Sequence, residues 1–447
     1  MRILFAAHQF FPEHYAGVEI VTLGLAKEFR ARGHEAYVLA PKRSIPINDI
    51  EPGEVEEYEF DGVPVRRVGR PKEGVSRPYR LDYENDVMAQ RTREYMREVR
   101  PDIVHAEHFQ GLSASVIPVF KEFDVPLVYT ATDFWAVCPV VDLHRHDGVM
   151  CEGPELAHCT RCIASRYPGT RMKAVVDRTP DAALELAGRL SGTPLSKVSF
   201  PLRQVWALRE RPAHIREKME QVDHIIVYTQ LMRDLLHANG IGKGKIEVSP
   251  YGIDTSRILE APRNRNIPPP LRVGFVGTMA PHKGCDILIR AFRSLPREQE
   301  AMLEIYGNLE RFRRFVKELR GLAGGDERIS LAGPFQRERV GEVLSGLDVL
   351  VVPSRWYENQ PGVILEAFAA GVPVVATNLG GMSEFVKHEE NGLLFELEDA
   401  EDLARQLRRL YEEPGLLEKL RGGIGPVKTV GENVDELEEL YDTLLDR

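Results

Sequence analysis

Short apolar runs, each followed by a segment with helical spacing, recur in two series, and that rhythm constrains the fold more than any other feature of this chain. In the first series, residues 3–7, 35–40, 102–105, 126–130, 223–229 and 246–249 read as strands. Residues 18–32, 112–120 and 230–239 read as the helices between them. The second series predicts strands over 272–276, 301–306, 329–331, 349–352, 374–377 and 392–395, with helices such as 285–292 and 340–345. Continuous Val/Ile/Leu runs suit strands buried on both faces, and parallel neighbours need a crossover, usually a helix. The predicted fold class is therefore α/β, with two doubly wound, Rossmann-like domains.

Length agrees with two units, because 447 residues exceed one ordinary core and suit two domains of about 200 residues each. The stretch Ala261-Pro-Arg-Asn-Arg-Asn-Ile-Pro-Pro-Pro270 is the expected linker. The expected division is a first domain over 1–262, a second over 263–430 and a closing helix over 431–447. Residues 136–200 break the rhythm with cysteines, glycines and prolines and read as an elaboration of the first domain. The formal charge of -10, from 58 basic and 68 acidic residues, argues against broad nucleic-acid binding. Residues 1–7, Met-Arg-Ile-Leu-Phe-Ala-Ala, turn polar too soon for a signal peptide and read as a first buried strand. No apolar stretch approaches the roughly 20 residues that span a bilayer, so a cytoplasmic location is expected, with peripheral membrane contact left open.

Ligands of open α/β sheets sit beyond the carboxyl ends of the strands, which singles out three loops. In His8-Gln-Phe-Phe-Pro-Glu-His-Tyr-Ala-Gly17, the terminal glycine precedes a helix and would let a diphosphate approach its N-terminus; a glycine that only turns the chain is the alternative. No G-x-G-x-x-G follows the first strand, which speaks against a nicotinamide dehydrogenase. In Gly277-Thr-Met-Ala-Pro-His-Lys-Gly284, Lys283 offers a mobile cation to a phosphate, or else is an exposed solubilising lysine. The third loop is Glu358-Asn-Gln-Pro-Gly-Val-Ile-Leu-Glu366. Pro361 suits a helix start and Gly371 its end, so one carboxylate precedes the helix and the other lies inside it. The free N–H groups of Gly362 and Val363 favour phosphate, and ionised carboxylates accept only hydroxyl or N–H donors. Phosphate together with hydroxyls means a nucleotide, a sugar or both.

Four of the five cysteines, Cys138, Cys151, Cys159 and Cys162, fall close together. Three readings stand open: a structural metal site with these four as zinc ligands, disulfide or redox pairing, and separate buried thiols. Cys285, at a predicted helix start, reads as packing.

The glycine loop, Gly33-His34, Pro101-Asp-Ile-Val-His105, Val222-Asp-His-Ile-Ile, Pro250-Tyr-Gly-Ile-Asp254, Lys283-Gly284 and the Glu358/Glu366 motif form a pattern that spans nearly the whole chain. With Gly371-x-Pro373-Val-Val-Ala376 and Gly380-Gly381-x-x-Glu384, it resembles the retaining glycosyltransferases of family 4. The resemblance implies the GT-B fold, two Rossmann-like domains facing across a deep cleft, with the closing helix crossing back to the first domain. It implies a nucleoside-diphosphate sugar as donor, bound mainly by the second domain, and a glycan, lipid-linked or small-molecule acceptor on the side of the first. Carried across by position, Glu366 would hold the ribose hydroxyls and Glu358 those of the donor sugar. Lys283 would neutralise the diphosphate with N–H groups around Gly362 and Val363, while Gly17 would sit by the phosphates from the other domain. Lys283 and Glu358 are thus the expected catalytic residues. The reaction implied is transfer to a hydroxyl with retained anomeric configuration by front-face substitution, in polysaccharide or glycoconjugate synthesis. No catalytic metal is expected at the diphosphate, since the three loops hold no D-x-D.

Two positions depart from the family pattern. Thr278 stands where Arg is common, with Arg355 as a candidate replacement. Thr132 stands where His often precedes Asp133; His105 and His108 are the candidates there, with packing as their other role. The competing readings are a sugar-nucleotide epimerase or hydrolase of the same fold, and a nucleotide- or glycan-binding protein without turnover. The segment from Asp133-Phe-Trp through Cys162 also resembles a cysteine-bearing subgroup of these transferases.

Overall fold

A computed structural model describes residues 1–13, 16–42, 51–70, 79–166, 171–190, 200–259 and 270–446. The expected linker lies outside them except for Pro270. The chain divides into two units: Met1–Tyr251 with Val430–Arg447, and Gly252–Thr429.

The first unit is built on β1 (Arg2–Ala6), β2 (Glu35–Lys42), β3 (Val55–Phe60), β4 (Val63–Gly69), β5 (Ile103–Ala106), β6 (Leu127–Ala131), β7 (His224–Val227) and β8 (Ile246–Val248). They form one sheet in the order β3-β4-β2-β1-β5-β6-β7-β8. All pairs are parallel except β3 with β4. That hairpin escapes a search for apolar runs because β3, Val-Glu-Glu-Tyr-Glu-Phe, is a charged edge strand of the kind that resists further pairing. Its turn does carry a sequence signal: Asp61 and Gly62 both have positive φ, as a two-residue Asp-Gly hairpin requires. The helix predicted over 112–120 is confined to Val116–Lys121. Gly111 and Ser113, with φ of 82° and 80°, turn the chain before it.

The closing helix, Val430–Leu445, belongs to this unit. Its Val434, Leu437, Tyr441 and Leu444 join a core with Phe5, Phe29 and Val38, each buried side chain contributing about 1.5–3 kcal/mol. Arg32 fixes its outer face through Asp435 at 2.6 Å and Glu438 at 2.8 Å.

The second unit contains β9 (Leu271–Val276), β10 (Ala301–Tyr306), β11 (Ile329–Gly333), β12 (Val349–Val352), β13 (Val374–Thr377) and β14 (Gly392–Phe395). These are the six strands expected, all parallel, in the order β11-β10-β9-β12-β13-β14. Helices such as Cys285–Arg293 and Ala400–Glu412 bury one apolar face against this sheet and leave charges outside.

Strand order decides where a ligand can bind. In the second unit the order reverses between β9 and β12, so their outgoing loops diverge and leave a crevice at the carboxyl edge. In the first unit the reversal lies between β1 and β5. The loops singled out by sequence leave β1, β9 and β12.

Candidate functional site

At the β9/β12 switch point, Lys283 and Glu358 meet. Lys283 ends a single helical turn, Pro281–Lys283, and its Nζ lies 2.5 Å from Glu358 Oε1. Ser354 Oγ donates to the same oxygen at 2.7 Å and Trp356 Nε1 at 2.9 Å. The Trp356 ring stacks on His282 at 3.7 Å, which makes His282 a positioning contact for this loop. All three donors meet Oε1, and Oε2 has no hydrogen-bond partner among the described residues. Burial alone would raise the Glu358 carboxyl; Lys283, Ser354 and Trp356 outweigh it and hold the group below its ordinary value. Glu358 is therefore an anion with one oxygen anchored and one available.

Two glycines make this arrangement possible. A Cβ on Gly284 would stand 1.8 Å from Pro353 O, and its φ is 70°, so only glycine lets the Lys283 turn sit against the end of β12. A Cβ on Gly381 would stand 2.0 Å from Asn359 O; its N–H instead donates to Glu358 O at 3.0 Å and fixes the backbone of the carboxylate.

Glu366 lies inside the helix Gly362–Ala369, whose N-cap, Pro361, supplies no side-chain bond to the N-terminus where Gly362 and Val363 sit. Burial raises its carboxyl, and Arg337 offsets only part of that by donating to Oε1. Arg337 was not anticipated, although it lies in the loop after β11, where the strand-end rule directs attention. Arg355, the candidate to replace the missing arginine at position 278, is committed elsewhere. Its guanidinium holds Asp286 at 2.7 and 2.8 Å, Pro281 O at 2.6 Å and Glu398 at 2.8 Å, so its charge is already neutralised.

In the first unit, loops from β1, β5 and β6 bring His8, His108 and Asp133 together. The His8 and His108 rings lie 4.6 Å apart, and His108 Nε2 is 2.6 Å from Asp133 Oδ2. Gln110 N–H donates to His108 Nδ1 at 2.9 Å, so the proton of a neutral ring sits on Nε2, facing Asp133. His108 thus brings an imidazole to Asp133 from β5, where Thr132 fails to supply one from β6. Thr132 donates to Glu107 O at 3.0 Å. His105 packs in the core: it pairs with Tyr441 Oη and with Thr130 Oγ1 at 2.7 Å, and burial lowers its pKa to about 3. Sequence reading also missed Glu107, whose two carboxyl oxygens are buried without hydrogen-bond partners. Burial pushes it up to about 8. His105 Nε2 lies 3.6 Å from Glu107 Oε1, but burial favours the neutral form of both, so the contact is not an ion pair. Gly17 opens the helix Gly17–Ala31 with open space over its Cα, while Glu19 accepts the Ala16 N–H at 2.6 Å.

Comparison with known proteins fits this geometry. Residues 16–252 match the glycosyl transferase 4-like domain, and residues 270–413 match glycosyl transferases group 1. The chain belongs to the family 4-like glycosyltransferases. A D-inositol 3-phosphate glycosyltransferase of Arthrobacter sp. (strain FB24) is 32% identical over 266 residues, which cover 55% of this chain and 62% of the relative. An uncharacterized glycosyltransferase of Methanocaldococcus jannaschii is 32% identical over 144 residues, covering 32% of this chain and 36% of that protein. The matched stretches thus span less than two thirds of these curated relatives. Among solved structures, Anabaena HepE in complex with UDP aligns with a TM-score of 0.64 at 17% identity, covering 99% of this chain and all of that one. Sucrose-phosphate synthase from Thermosynechococcus elongatus aligns at 0.63 and 17%, covering 100% of this chain and 99% of that one. The fold is that of GT-B glycosyltransferases.

In this glycosyltransferase the expected metal ligands Cys138, Cys151, Cys159 and Cys162 are free thiols that line one cavity. Among the described residues, no group of three or more His, Cys, Asp or Glu side chains is preformed to hold a metal ion. Cys151 donates its S–H to Gly153 O at 3.1 Å. Among the described residues of the glycosyltransferase, no helix is long and apolar enough to cross a membrane.

Proposed function

We propose that this glycosyltransferase moves a sugar from a nucleoside-diphosphate sugar to an acceptor hydroxyl with retention of anomeric configuration, in the assembly of a polysaccharide or glycoconjugate. The observation that carries the reading is the Lys283–Glu358 pair beside the N-terminus of the helix Gly362–Ala369. It places a cation, uncapped N–H groups and an anionic hydroxyl acceptor at one switch point. In this reading the donor diphosphate draws Lys283 from Glu358 and lies against the N–H groups of Gly362 and Val363. Ser354 and Trp356 keep the Glu358 carboxylate in place as Lys283 turns away, and its free oxygen accepts hydroxyls of the donor sugar. Glu366 accepts the ribose hydroxyls. The first unit carries the acceptor, and Gly17 opens a helix there with open space over its Cα, suited to a phosphate.

The bond from the anomeric carbon to the phosphate oxygen breaks as the bond to the acceptor oxygen forms on the same face. The acceptor proton passes to the departing phosphate oxygen, so the products are a glycoside and a protonated nucleoside diphosphate. The chain's contribution is to stabilise charge on the leaving group through Lys283 and to orient the sugar through Glu358. No carboxylate pair set across a glycosidic bond is needed.

The test incubates the protein with a panel of nucleotide sugars, with and without glycan, lipid-linked and small hydroxylated acceptors. Acceptor-dependent release of nucleoside diphosphate, with the product's anomeric configuration read by NMR, supports the reading. Release that ignores every acceptor identifies a hydrolase. Tight binding without any product rejects turnover.

A further inference from the structure

Four of the chain's five cysteines reach one small cavity from three separate pieces of backbone. Cys138 lies in the loop that leaves β6, Cys151 beside the His144–Met150 bridge, and Cys159 with Cys162 on the helix Leu156–Ser165. The space they enclose is about 10 Å³, close to that of one water-sized sphere. That is too little for an organic ligand and fits a single ion. Arg145 also lines the cavity, with its guanidinium paired to Asp147 at 2.6 and 3.1 Å.

Packing alone gives no reason for four thiols to meet in one place. Disulfide pairing would need an oxidant, and all four cysteines are free. The convergence brings together the four sulfur ligands that a soft divalent cation takes in a structural site. We propose that Cys138, Cys151, Cys159 and Cys162 form a structural tetrathiolate site for one zinc ion, which draws the sulfurs inward and clips the helix Leu156–Ser165 to the loop after β6. The step balances without a co-reactant: four S–H bonds break, four sulfur–zinc bonds form and four protons leave to solvent. The site lies outside the donor chemistry, and its role is to hold the cysteine segment beside the loop that carries Thr132 and Asp133.

The experiment uses the full chain, expressed with zinc in the medium and purified without chelator. Elemental analysis is expected to find about one zinc per chain. Four thiols should stay unreactive in the native protein until an organomercurial displaces the metal. Cobalt substitution should give sulfur-to-metal charge-transfer absorption and the visible bands of a tetrahedral four-thiolate centre. Adding zinc back to the stripped chain should raise its melting temperature. The C159S/C162S double variant should lose the metal, while Cys285→Ala and His158→Ala keep it. If the double variant does not fold, metal content, thiol count and cobalt spectrum of the unaltered chain decide alone. A folded chain with four freely titrating thiols and no affinity for zinc or cobalt overturns the proposal. So does an iron–sulfur spectrum, metal retained by a folded double variant, or metal lost from a folded His158→Ala chain.

Discussion

Lys283 Nζ and Glu358 Oε1 stand 2.5 Å apart, so the residues assigned to the leaving group and to the sugar neutralise each other until a donor arrives. The pair is largely buried, and removing one partner leaves the other charge in a poor environment. Lys283→Met should lower turnover by about 10²–10³-fold, the range for loss of one preorganised stabilising group. It should also change the pH profile. Lys283 helps hold the Glu358 carboxyl low; without it, burial raises that carboxyl, so the acid limb moves to higher pH and activity is lost sooner as pH falls. A uniform drop with an unmoved acid limb would argue against coupling between the two groups.

Glu366 has a different environment and should show a different signature. Its partner, Arg337, is about half exposed, and burial keeps the carboxyl above its ordinary value. A residue that holds ribose should matter for nucleosides and not for bare phosphate. Glu366→Ala is expected to weaken nucleoside diphosphates by about 10- to 100-fold, the size of hydrogen bonds to a charged group, and to leave pyrophosphate unchanged. Calorimetric titration with both ligands checks this; equal losses for the two would assign Glu366 to the phosphates instead.

What the sequence made legible follows from which forces leave a local trace. All six strands of the second unit were readable, because a parallel strand buried on both faces is a continuous apolar run. Strand β3 was not, since its alternating glutamates look like loop, and only Asp61-Gly62 marks the hairpin. The helix Asp86–Val99 was missed as well, although Asn85 caps it by accepting the Met88 N–H at 3.1 Å. Lys283 and Glu358 were singled out separately, each from its own loop, and their contact depends on β9 and β12 being neighbours. Strand order is written in long-range pairing, not in local spacing. The same holds for Arg337 beside Glu366 and for His108 beside Asp133, whose partners are 29 and 25 positions away.

His108 and Asp133 generate a prediction for the acceptor. They sit at the switch point of the first unit, and the Asp133 side chain is about a third exposed while His108 is buried behind it. Asp133 is then the group that can accept an acceptor hydroxyl, and His108 positions it. Asp133→Asn should raise the acceptor KM by about 10- to 100-fold, as for loss of a charge-assisted bond, with nucleotide affinity unchanged. His108→Gln should give a smaller rise. Steady-state kinetics with the acceptor varied, beside nucleotide titration of the same proteins, separates the two effects; a loss of nucleotide affinity would move Asp133 to the donor side.

Glu107 makes the stability of the first unit depend on pH in a direction that can be worked out. Its carboxyl titrates near 8 in the folded chain, against 4.5 for an ordinary glutamate. Below 4.5 both folded and unfolded chains hold the proton. As pH rises from there, the unfolded chain releases it while the folded chain retains it, so stability falls by about 1.4 kcal/mol per pH unit. The decline ends once the folded carboxyl also ionises. Glu107→Gln removes this slope, and the His105 contribution, lost as pH falls, is present in both proteins and largely cancels. The melting temperature of the variant minus that of the unaltered chain should therefore increase between about pH 5 and 8 and level off above. Parallel curves over that range would mean that Glu107 is already ionised in the fold and has a partner that its two bare oxygens do not reveal.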